Sequence, residues 1–240
     1  LHTASGWVSQ WLWRTHECFS YRLTRKEPLR RLDVRSLLRG VAHLSRADPD
    51  LGAVVRRHGP PPLWARRPGI ATLIRIILEQ QVSLASGRAI YHRLEDHVGE
   101  VTAEAITQCE AADLRRLGLT RQKAAYCIGV AEQIAIGDLN LRRVARAPVV
   151  TARLELQRVK GIGPWTADIY LLMALRRPDV WPTGDIALLT ALQHVRQFPQ
   201  RPTVEEAAEH ALRWTPWRAV AARILWHGYL AGTLTGACGR

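Results

Sequence analysis

The 240-residue chain has few cysteines, and no two of them lie close together in the sequence. The four are Cys18, Cys109, Cys127 and Cys238. Zinc ribbons and disulfide frameworks use closely or regularly spaced cysteines, so this spacing predicts neither. Unpaired, scattered cysteines are typical of a reducing intracellular compartment.

Long apolar runs are also missing. No stretch approaches the roughly 18–20 consecutive apolar residues that a membrane span needs. The first 21 residues are interrupted by polar and charged side chains, a pattern that predicts no signal peptide. We therefore expect no membrane partner.

Acidic residues are scarce relative to basic ones. Twenty-one Asp and Glu face 34 Lys and Arg, which gives a net charge of +13 and a sequence pI near 10.7. Such an excess predicts a polyanionic partner, either nucleic acid or anionic lipid; the alternative is a highly soluble Arg-rich protein without such a partner. A hydrophobic content of 47% with 23% charged residues excludes general disorder.

Two regions differ in composition. Residues 1–35 contain Trp7, Trp11 and Trp13 followed by a basic stretch, and we interpret them as an accessory arm whose charges form a solvated face or contact DNA. Residues 36–240 show almost no strand-like alternation and much helical periodicity. This pattern predicts an all-α domain. Its predicted helices cover 37–46, 49–57, 70–78, 83–97, 110–117, 121–136, 151–158, 165–175, 184–195, 204–213 and 217–225, with Ser83, Thr120 and Thr203 as N-caps.

The segment from Leu156 to Leu192 carries most of the chemical information. A helix ending near Val159 meets Lys160-Gly161-Ile162-Gly163, and another helix starts at Pro164. Two glycines permit positive φ angles and a close backbone approach, and amides at a helix start bind anions, to which the lysine adds a charge. This arrangement predicts a phosphate site, although a simple tight turn between helices explains the glycines equally well.

Asp185 follows in Pro182-Thr183-Gly184-Asp185, and we expect it in the first turn of the next helix. The helix dipole favours an ionised carboxylate there by ~0.3–1 kcal/mol. Taken alone, such an aspartate is usually an ordinary helix-start residue.

Four features occur together and in a specific order: Glu79-Gln80-Gln81-Val82-Ser83, the glycine hairpin, an Asp 22 positions after Gly163, and the stretch from Trp214 to Trp226. With these features, residues 36–240 resemble the helix-hairpin-helix DNA glycosylases of base-excision repair, above all the alkylation-repair branch of the 3-methyladenine DNA glycosylase II type. The resemblance implies a multi-helix fold of two helical lobes around a cleft.

The resemblance also implies roles for individual residues. Asp185 matches the catalytic aspartate, and Gln81 lies where the family inserts a side chain into the gap left by a flipped base. Trp226 matches an aromatic wall of the base pocket, although its position beside an apolar stripe also fits core packing. The further implied sites are base contacts at Trp165 and Tyr170, DNA contacts at Lys160, Gly161, Gly163 and Thr166, and a monovalent cation (sodium or potassium) on the backbone carbonyls of Gln157, Val159 and Ile162.

Two absences narrow the implied chemistry. The bifunctional glycosylase/lyases carry a nucleophilic lysine where this chain has Trp165, which cannot form a Schiff base. The iron–sulfur members carry four closely spaced C-terminal cysteines, whereas only Cys238 lies there. Two departures from the family pattern are Lys160 in place of a proline and Ile169 in place of an aromatic residue.

The resemblance thus predicts a monofunctional enzyme that acts as a monomer on double-stranded DNA containing damaged bases, excises alkylated purines, and requires no cofactor and no iron–sulfur cluster. Two alternatives remain at this point. One is a non-catalytic helix-hairpin-helix DNA-binding module, and the other is a monofunctional glycosylase for deaminated or oxidised bases.

Overall fold

The structure is a computed structural model that describes residues 31–234, and over this range the chain forms helices and no strands. The all-α prediction is confirmed. Residues 1–30 and 235–240 lie outside the described part, so the predictions for Trp7, Trp11 and Trp13 and for most of the basic arm stay predictions.

Thirteen α-helices are present in the described range. They are α1 (Val34–Ala47), α2 (Pro49–His58), α3 (Ile70–Glu79), α4 (Leu84–Val98), α5 (Ala103–Thr107), α6 (Ala111–Arg116), α7 (Arg121–Ala135), α8 (Leu141–Arg146), α9 (Val149–Gln157), α10 (Pro164–Ile169), α11 (Ile186–Arg196), α12 (Val204–Ala211) and α13 (Arg218–Leu230). A π-helical turn at Tyr170–Ala174 extends α10, and a 3-10 turn at Leu212–Trp214 follows α12.

Local sequence signals explain most of the helix starts. The predicted N-caps Ser83, Thr120 and Thr203 each accept a hydrogen bond from the backbone amide three residues later. Two short helices, α5 and α8, were not predicted, and α8 lies between Gly137 and Pro148, residue types that usually interrupt helices. Each is only five or six residues long, too short to show a helical period.

The helices form two groups. In one, α1, α2, α11 and α13 pack against one another, so the beginning and the end of the described chain share a lobe. In the other, α3 packs on α4 and α7, and α7 packs on α5 and α6. Helix α10 contacts α3 and α9 and thereby connects the hairpin region to the second group.

Arg223 on α13 fastens the proline-rich segment that precedes α3. Its side chain is fully buried and donates hydrogen bonds to the backbone oxygens of Leu63 and Leu172, each at 2.9 Å, and of Ala219. A buried guanidinium needs such acceptors because its desolvation is costly. The contact fixes the chain beside the site described below. None of the helices between residues 31 and 234 is long and apolar enough to cross a membrane.

Candidate active site

The glycine hairpin joins α9 to α10. Gly161 has a φ angle of 97°, and a Cβ atom added to it would lie 2.4 Å from Cγ of Tyr126 on α7. This position therefore requires glycine for two reasons: the backbone is left-handed, and the Tyr126 ring leaves no room for a side chain. Gly163, by contrast, has φ −81° and is the N-cap residue of α10, so of the two glycines only Gly161 uses the left-handed conformation.

The side chains predicted to contact DNA differ in exposure. Lys160 and Gly163 lie on the surface, and Ile162 is buried and anchors the hairpin to the core. Thr166 is only 1% exposed, and its hydroxyl accepts a hydrogen bond from the side chain of Gln80 at 2.8 Å. The structure thus places the Thr166 side chain inside the protein, so a DNA contact of this residue would have to come from its backbone amide in the first turn of α10.

The three carbonyls proposed for a monovalent cation lie at the end of α9 and in the hairpin. Gln157 is the last residue of α9, a position whose carbonyl has no partner within the helix. The carbonyl of Val159 accepts the amide of Ile162 at 3.1 Å, which leaves one of its two lone pairs for another partner. Neutral carbonyl oxygens are the kind of ligand that a hard cation accepts, so this donor set fits such an ion.

Asp185 lies at the centre of the candidate site. It is the N-cap residue of α11, one position before the first turn where the sequence placed it. Its Oδ1 atom accepts the backbone amide of Leu188 at 2.9 Å and the indole N–H of Trp226 at 3.1 Å. Its Oδ2 atom accepts the indole N–H of Trp165 at 2.8 Å. The structure therefore brings together the predicted catalytic residue and two of the three predicted aromatic residues.

The three donors hold the carboxylate in one orientation. A carboxylate is an acceptor-only group with about four lone-pair positions, so three N–H donors leave it capacity for a further partner such as water. Trp165 comes from α10, Asp185 precedes α11 and Trp226 comes from α13. Separate parts of the chain thus determine where the negative charge lies and which ring edges flank it.

The aromatic residues around the carboxylate are not equivalent. Trp165 is half-buried, whereas Trp226 is 8% exposed. Tyr170 is fully buried, and its hydroxyl accepts the backbone amide of Gly69 at 3.1 Å; burial raises its pKa to about 12. Ile169, the other departure noted above, is 3% exposed. The structure makes Tyr170 a core residue, so the prediction that it contacts a base does not fit.

Trp64 is an aromatic residue of this region that the sequence did not reveal. Its ring meets that of Trp226 edge-on, with centroids 6.4 Å apart. The segment around it is held by Arg66, whose guanidinium binds both carboxylate oxygens of Glu79 at 2.8 and 3.0 Å. In the sequence, Trp64 follows a run of three prolines that signals only a break, so no pattern distinguished it.

Asp168 is a second carboxylate near the site that was not predicted. Its side chain is fully buried and accepts hydrogen bonds from Arg153 at 2.7 Å and from the backbone N–H and hydroxyl of Thr183 at 3.1 and 2.9 Å. Burial raises the pKa of Asp168, while Arg153 and Thr183 oppose that shift. Because Thr183 precedes Asp185 by two residues, Asp168 holds the loop that delivers the central carboxylate.

Gln81 lies beside α3, as an exposed residue with a φ angle of 54°. The next residues, Val82 and Leu84, are apolar and exposed by 40% and 60%. An exposed side chain on a tight turn, followed by apolar neighbours, is a suitable shape for entering a base stack. The structure does not bury Gln81, so its predicted role is compatible with its position.

The described cysteines and acidic residues offer no metal centre. Between residues 31 and 234 no group of three or more His, Cys, Asp or Glu side chains is arranged to hold a metal ion. Cys127 is fully buried, which raises its thiol pKa to about 12, and burial also raises the pKa of Cys109. Both thiols are therefore poor sources of the thiolate that metals bind.

The fold and this cluster define a class of protein. A model of the HhH-GPD superfamily of base excision DNA repair proteins matches residues 74–217, more than half of the chain. The chain belongs to this superfamily. The matched range contains Gln81, the hairpin and Asp185, and it ends nine residues before Trp226.

Individual relatives carry more specific names. A DNA-3-methyladenine glycosylase of Bacillus subtilis is 28% identical over 162 residues, which are 62% of this chain and 54% of the relative. The chain thus spans about half the length of that protein. DNA-3-methyladenine glycosylase 1 of Schizosaccharomyces pombe is 27% identical over 200 residues, covering 80% of this chain and 88% of the relative.

A solved structure shows the same fold. The 3-methyladenine DNA glycosylase of Schizosaccharomyces pombe in complex with abasic DNA superimposes with a TM-score of 0.73 at 26% identity, covering 78% of this chain and 95% of the other. A DNA-3-methyladenine glycosidase from Bacillus halodurans gives a TM-score of 0.65 at 27% identity, covering 79% and 88% of the two chains.

Proposed function

We propose that this protein is a monofunctional DNA glycosylase that excises alkylated purines of the 3-methyladenine type from double-stranded DNA in base-excision repair. The observation that carries the proposal is the carboxylate of Asp185, held by the indole N–H groups of Trp165 and Trp226. The names of the relatives support the substrate class, and the positive charge supports DNA as the partner.

The reaction is hydrolysis of the N-glycosidic bond. The damaged nucleotide leaves the stack, at a cost of a few kcal/mol that is lowest for a poorly paired base. The bond between C1′ and the purine nitrogen breaks, the purine takes the electron pair, and the sugar gains oxocarbenium character. Asp185 stabilises that positive charge and accepts a proton from the water that adds to C1′.

The aromatic rings select the base. An alkylated purine of this type is cationic and is already a good leaving group, so the enzyme needs little acid catalysis on the base. Indole faces attract cations through the ring quadrupole. Trp165 and Trp226 provide such rings on either side of the carboxylate, and Trp64 lies edge-on against Trp226.

The hairpin grips the DNA backbone beside the base. Lys160 is exposed at its tip and supplies a charge for a phosphate, and the backbone of Gly161 to Gly163 permits a close approach. The carbonyls of Gln157, Val159 and Ile162 would hold a sodium or potassium ion that neutralises a neighbouring phosphate. We also propose that residues 1–30 form a basic arm outside the catalytic domain; the boundary expected after residue 35 moves back, because Leu32 is only 1% exposed and α1 begins at Val34.

The product is an intact strand with an abasic site. Trp165 occupies the position of the lyase lysine and has no amine for a Schiff base. With only Cys238 in the C-terminal region, the chain lacks the cysteines for an iron–sulfur cluster. We also propose that the protein acts as a monomer, and for a bacterial source the substrate implies a cytoplasmic, nucleoid-associated location.

One experiment tests the proposal and its alternatives. The protein is incubated with methylated duplex DNA, and released bases are separated by chromatography; we expect 3-methyladenine. Duplexes containing uracil, hypoxanthine or 8-oxoguanine are the controls, and release only from these would replace the proposal with a glycosylase for deaminated or oxidised bases. Binding without release of any base would indicate a non-catalytic module, and a borohydride-trapped covalent adduct would refute the monofunctional assignment.

A further inference from the structure

Gln80 connects the turn that carries Gln81 to the hairpin. It is the C-cap residue of α3, and its side-chain Nε2 atom donates to the backbone oxygen of Gly161 at 2.9 Å and to the hydroxyl of Thr166 at 2.8 Å. One partner lies in the hairpin, and the other lies in the first turn of the helix that follows. A single half-buried amide thus bridges two segments that are about 80 residues apart in sequence.

Lys123 on α7 holds the same turn from the other side. Its Nζ atom donates to the backbone oxygens of Leu78 and Gln80, each at 2.7 Å, and the residue is only 9% exposed. The last carbonyls of a helix have no partner within the helix, and a buried ammonium satisfies them and complements the negative end of the helix dipole. The end of α3 is therefore closed by a buried cation.

Helix α7 also supports the hairpin. Tyr126, one turn after Lys123, places its ring against Gly161, where even a methyl group would overlap it. One rigid helix thus contacts the glycine of the hairpin through Tyr126 and the turn at Gln80 through Lys123. Together with the Gln80 side chain, these contacts form a closed frame around the two segments.

Gln81 extends from this frame. It is exposed and has a left-handed backbone with φ 54°, a conformation that costs free energy in residues other than glycine and persists where neighbouring contacts hold it. Those contacts are the ones made by the residue before it. These contacts set the distance between the hairpin, which under the proposed function binds a DNA phosphate, and the Gln81 side chain, which enters the base stack.

We propose that Gln80 and Lys123 are positioning residues for base flipping: they hold Gln81 in register with the hairpin, so that gripping the backbone places Gln81 at the vacated stack. Their hydrogen bonds go to the hairpin, to Thr166 and to the end of α3, and none goes to Asp185. Their loss should therefore slow the extrusion of a paired base and leave the cleavage of an unpaired one almost unchanged.

The test compares two substrates under single-turnover conditions. One is a duplex with the methylated purine opposite its normal partner, and the other has it opposite an abasic site, where little pairing must be broken. Gln80→Glu preserves the side-chain shape but replaces the donating Nε2 atom with an acceptor oxygen, so the hydrogen bond to the Gly161 carbonyl is lost and the two oxygens repel each other. We expect its excision rate to fall at least tenfold on the paired duplex and less than twofold on the unpaired substrate.

Further variants keep the test decisive. Lys123→Met should show the same split, and Gln80→Met covers the case in which the new charge of Gln80→Glu impairs folding. Gln108→Met is the matched control, because Gln108 is an exposed C-cap glutamine on α5, and both of its rates should equal those of the wild type. Fluorescence of 2-aminopurine placed beside the lesion reports flipping directly, and its rise on binding should be reduced in the Gln80 and Lys123 variants.

The outcomes separate this inference from the proposed function. An active wild type with equal losses on both substrates, or with no loss on either, overturns the positioning role alone. A wild type that releases no base from either substrate overturns the proposed function, and the inference with it.

Discussion

Replacement of Asp185 by asparagine is the sharpest test of the site, because it removes one charge and almost no volume. Asparagine caps helices about as well as aspartate does, so α11 should keep its N-cap bond to Leu188. With the amide oxygen in the Oδ1 position, the Trp226 bond also survives. The amide nitrogen then faces the indole N–H of Trp165, where the wild type has a 2.8 Å hydrogen bond, and two donors oppose each other.

The size of the effect follows from these changes. A hydrogen bond to a charged group is worth about 1.5–3 kcal/mol, and the lost bond to Trp165 disturbs one wall of the pocket. A positioned base or charge contributes about 10²–10⁴-fold to a rate. We therefore expect base release to slow by about 10³-fold, equivalent to ~4 kcal/mol. Duplex affinity should change little, since Asp185 is not part of the hairpin that grips DNA.

The assay is single-turnover release of 3-methyladenine, measured beside the melting temperature and the duplex Kd. Asp33→Asn is the matched control, because Asp33 is the exposed N-cap of α1 and accepts the amide of Ser36 in the same way. It should leave all three quantities unchanged. If Asp185→Asn keeps a rate within tenfold of the wild type, the catalytic assignment is refuted; if it loses rate and melting temperature together, Asp185 serves mainly to hold the site together.

Three further predictions concern the base pocket and the hairpin. Trp226→Phe keeps a ring but removes the N–H that donates to Asp185 at 3.1 Å. The single-turnover excision rate should therefore fall about 10–100-fold, while the affinity for undamaged duplex, measured by titration, should stay unchanged. Lys160→Ala should reduce the slope of log K against log salt by about one, equally for damaged and undamaged duplexes, and an unchanged slope would remove the phosphate contact. Gly161→Ala should lower the free energy of unfolding, measured in urea, by about 2–4 kcal/mol, because Gly161 adopts φ 97° and the new methyl group would overlap Tyr126. Gly163→Ala is the control, because Gly163 has φ −81° and open space around its Cα atom.

Short-range patterns were sufficient for the framework of this protein. The apolar spacing over 70–78 predicted α3, and the side-chain oxygens of Ser83, Thr120 and Thr203 predicted three helix starts. These signals work because a helix period and an N-cap bond involve residues within one or two turns. The short helices α5 and α8 were not predicted, because a helix of five or six residues is too short to show a repeating apolar pattern.

The orientations of two predicted site residues depend on contacts with distant parts of the chain. Thr166 follows the hairpin in sequence, yet its hydroxyl turns inward to Gln80. Tyr170 adjoins a pocket position, yet the π-helical turn places it in the core against Gly69.

By itself, the sequence determined the helical class, the positive surface charge, the hairpin at Lys160 to Gly163 and the presence of an aspartate at a fixed interval after it. Only the tertiary structure decided that both indole N–H groups meet Asp185, that Asp168 holds the loop before it, and that Lys123 and Gln80 join the turn at Gln81 to the hairpin. The reason is physical. Charge and periodicity are properties of neighbouring residues, whereas a hydrogen bond of 2.8 Å between residues 20 or 86 positions apart exists only after helices that are distant in the sequence have packed.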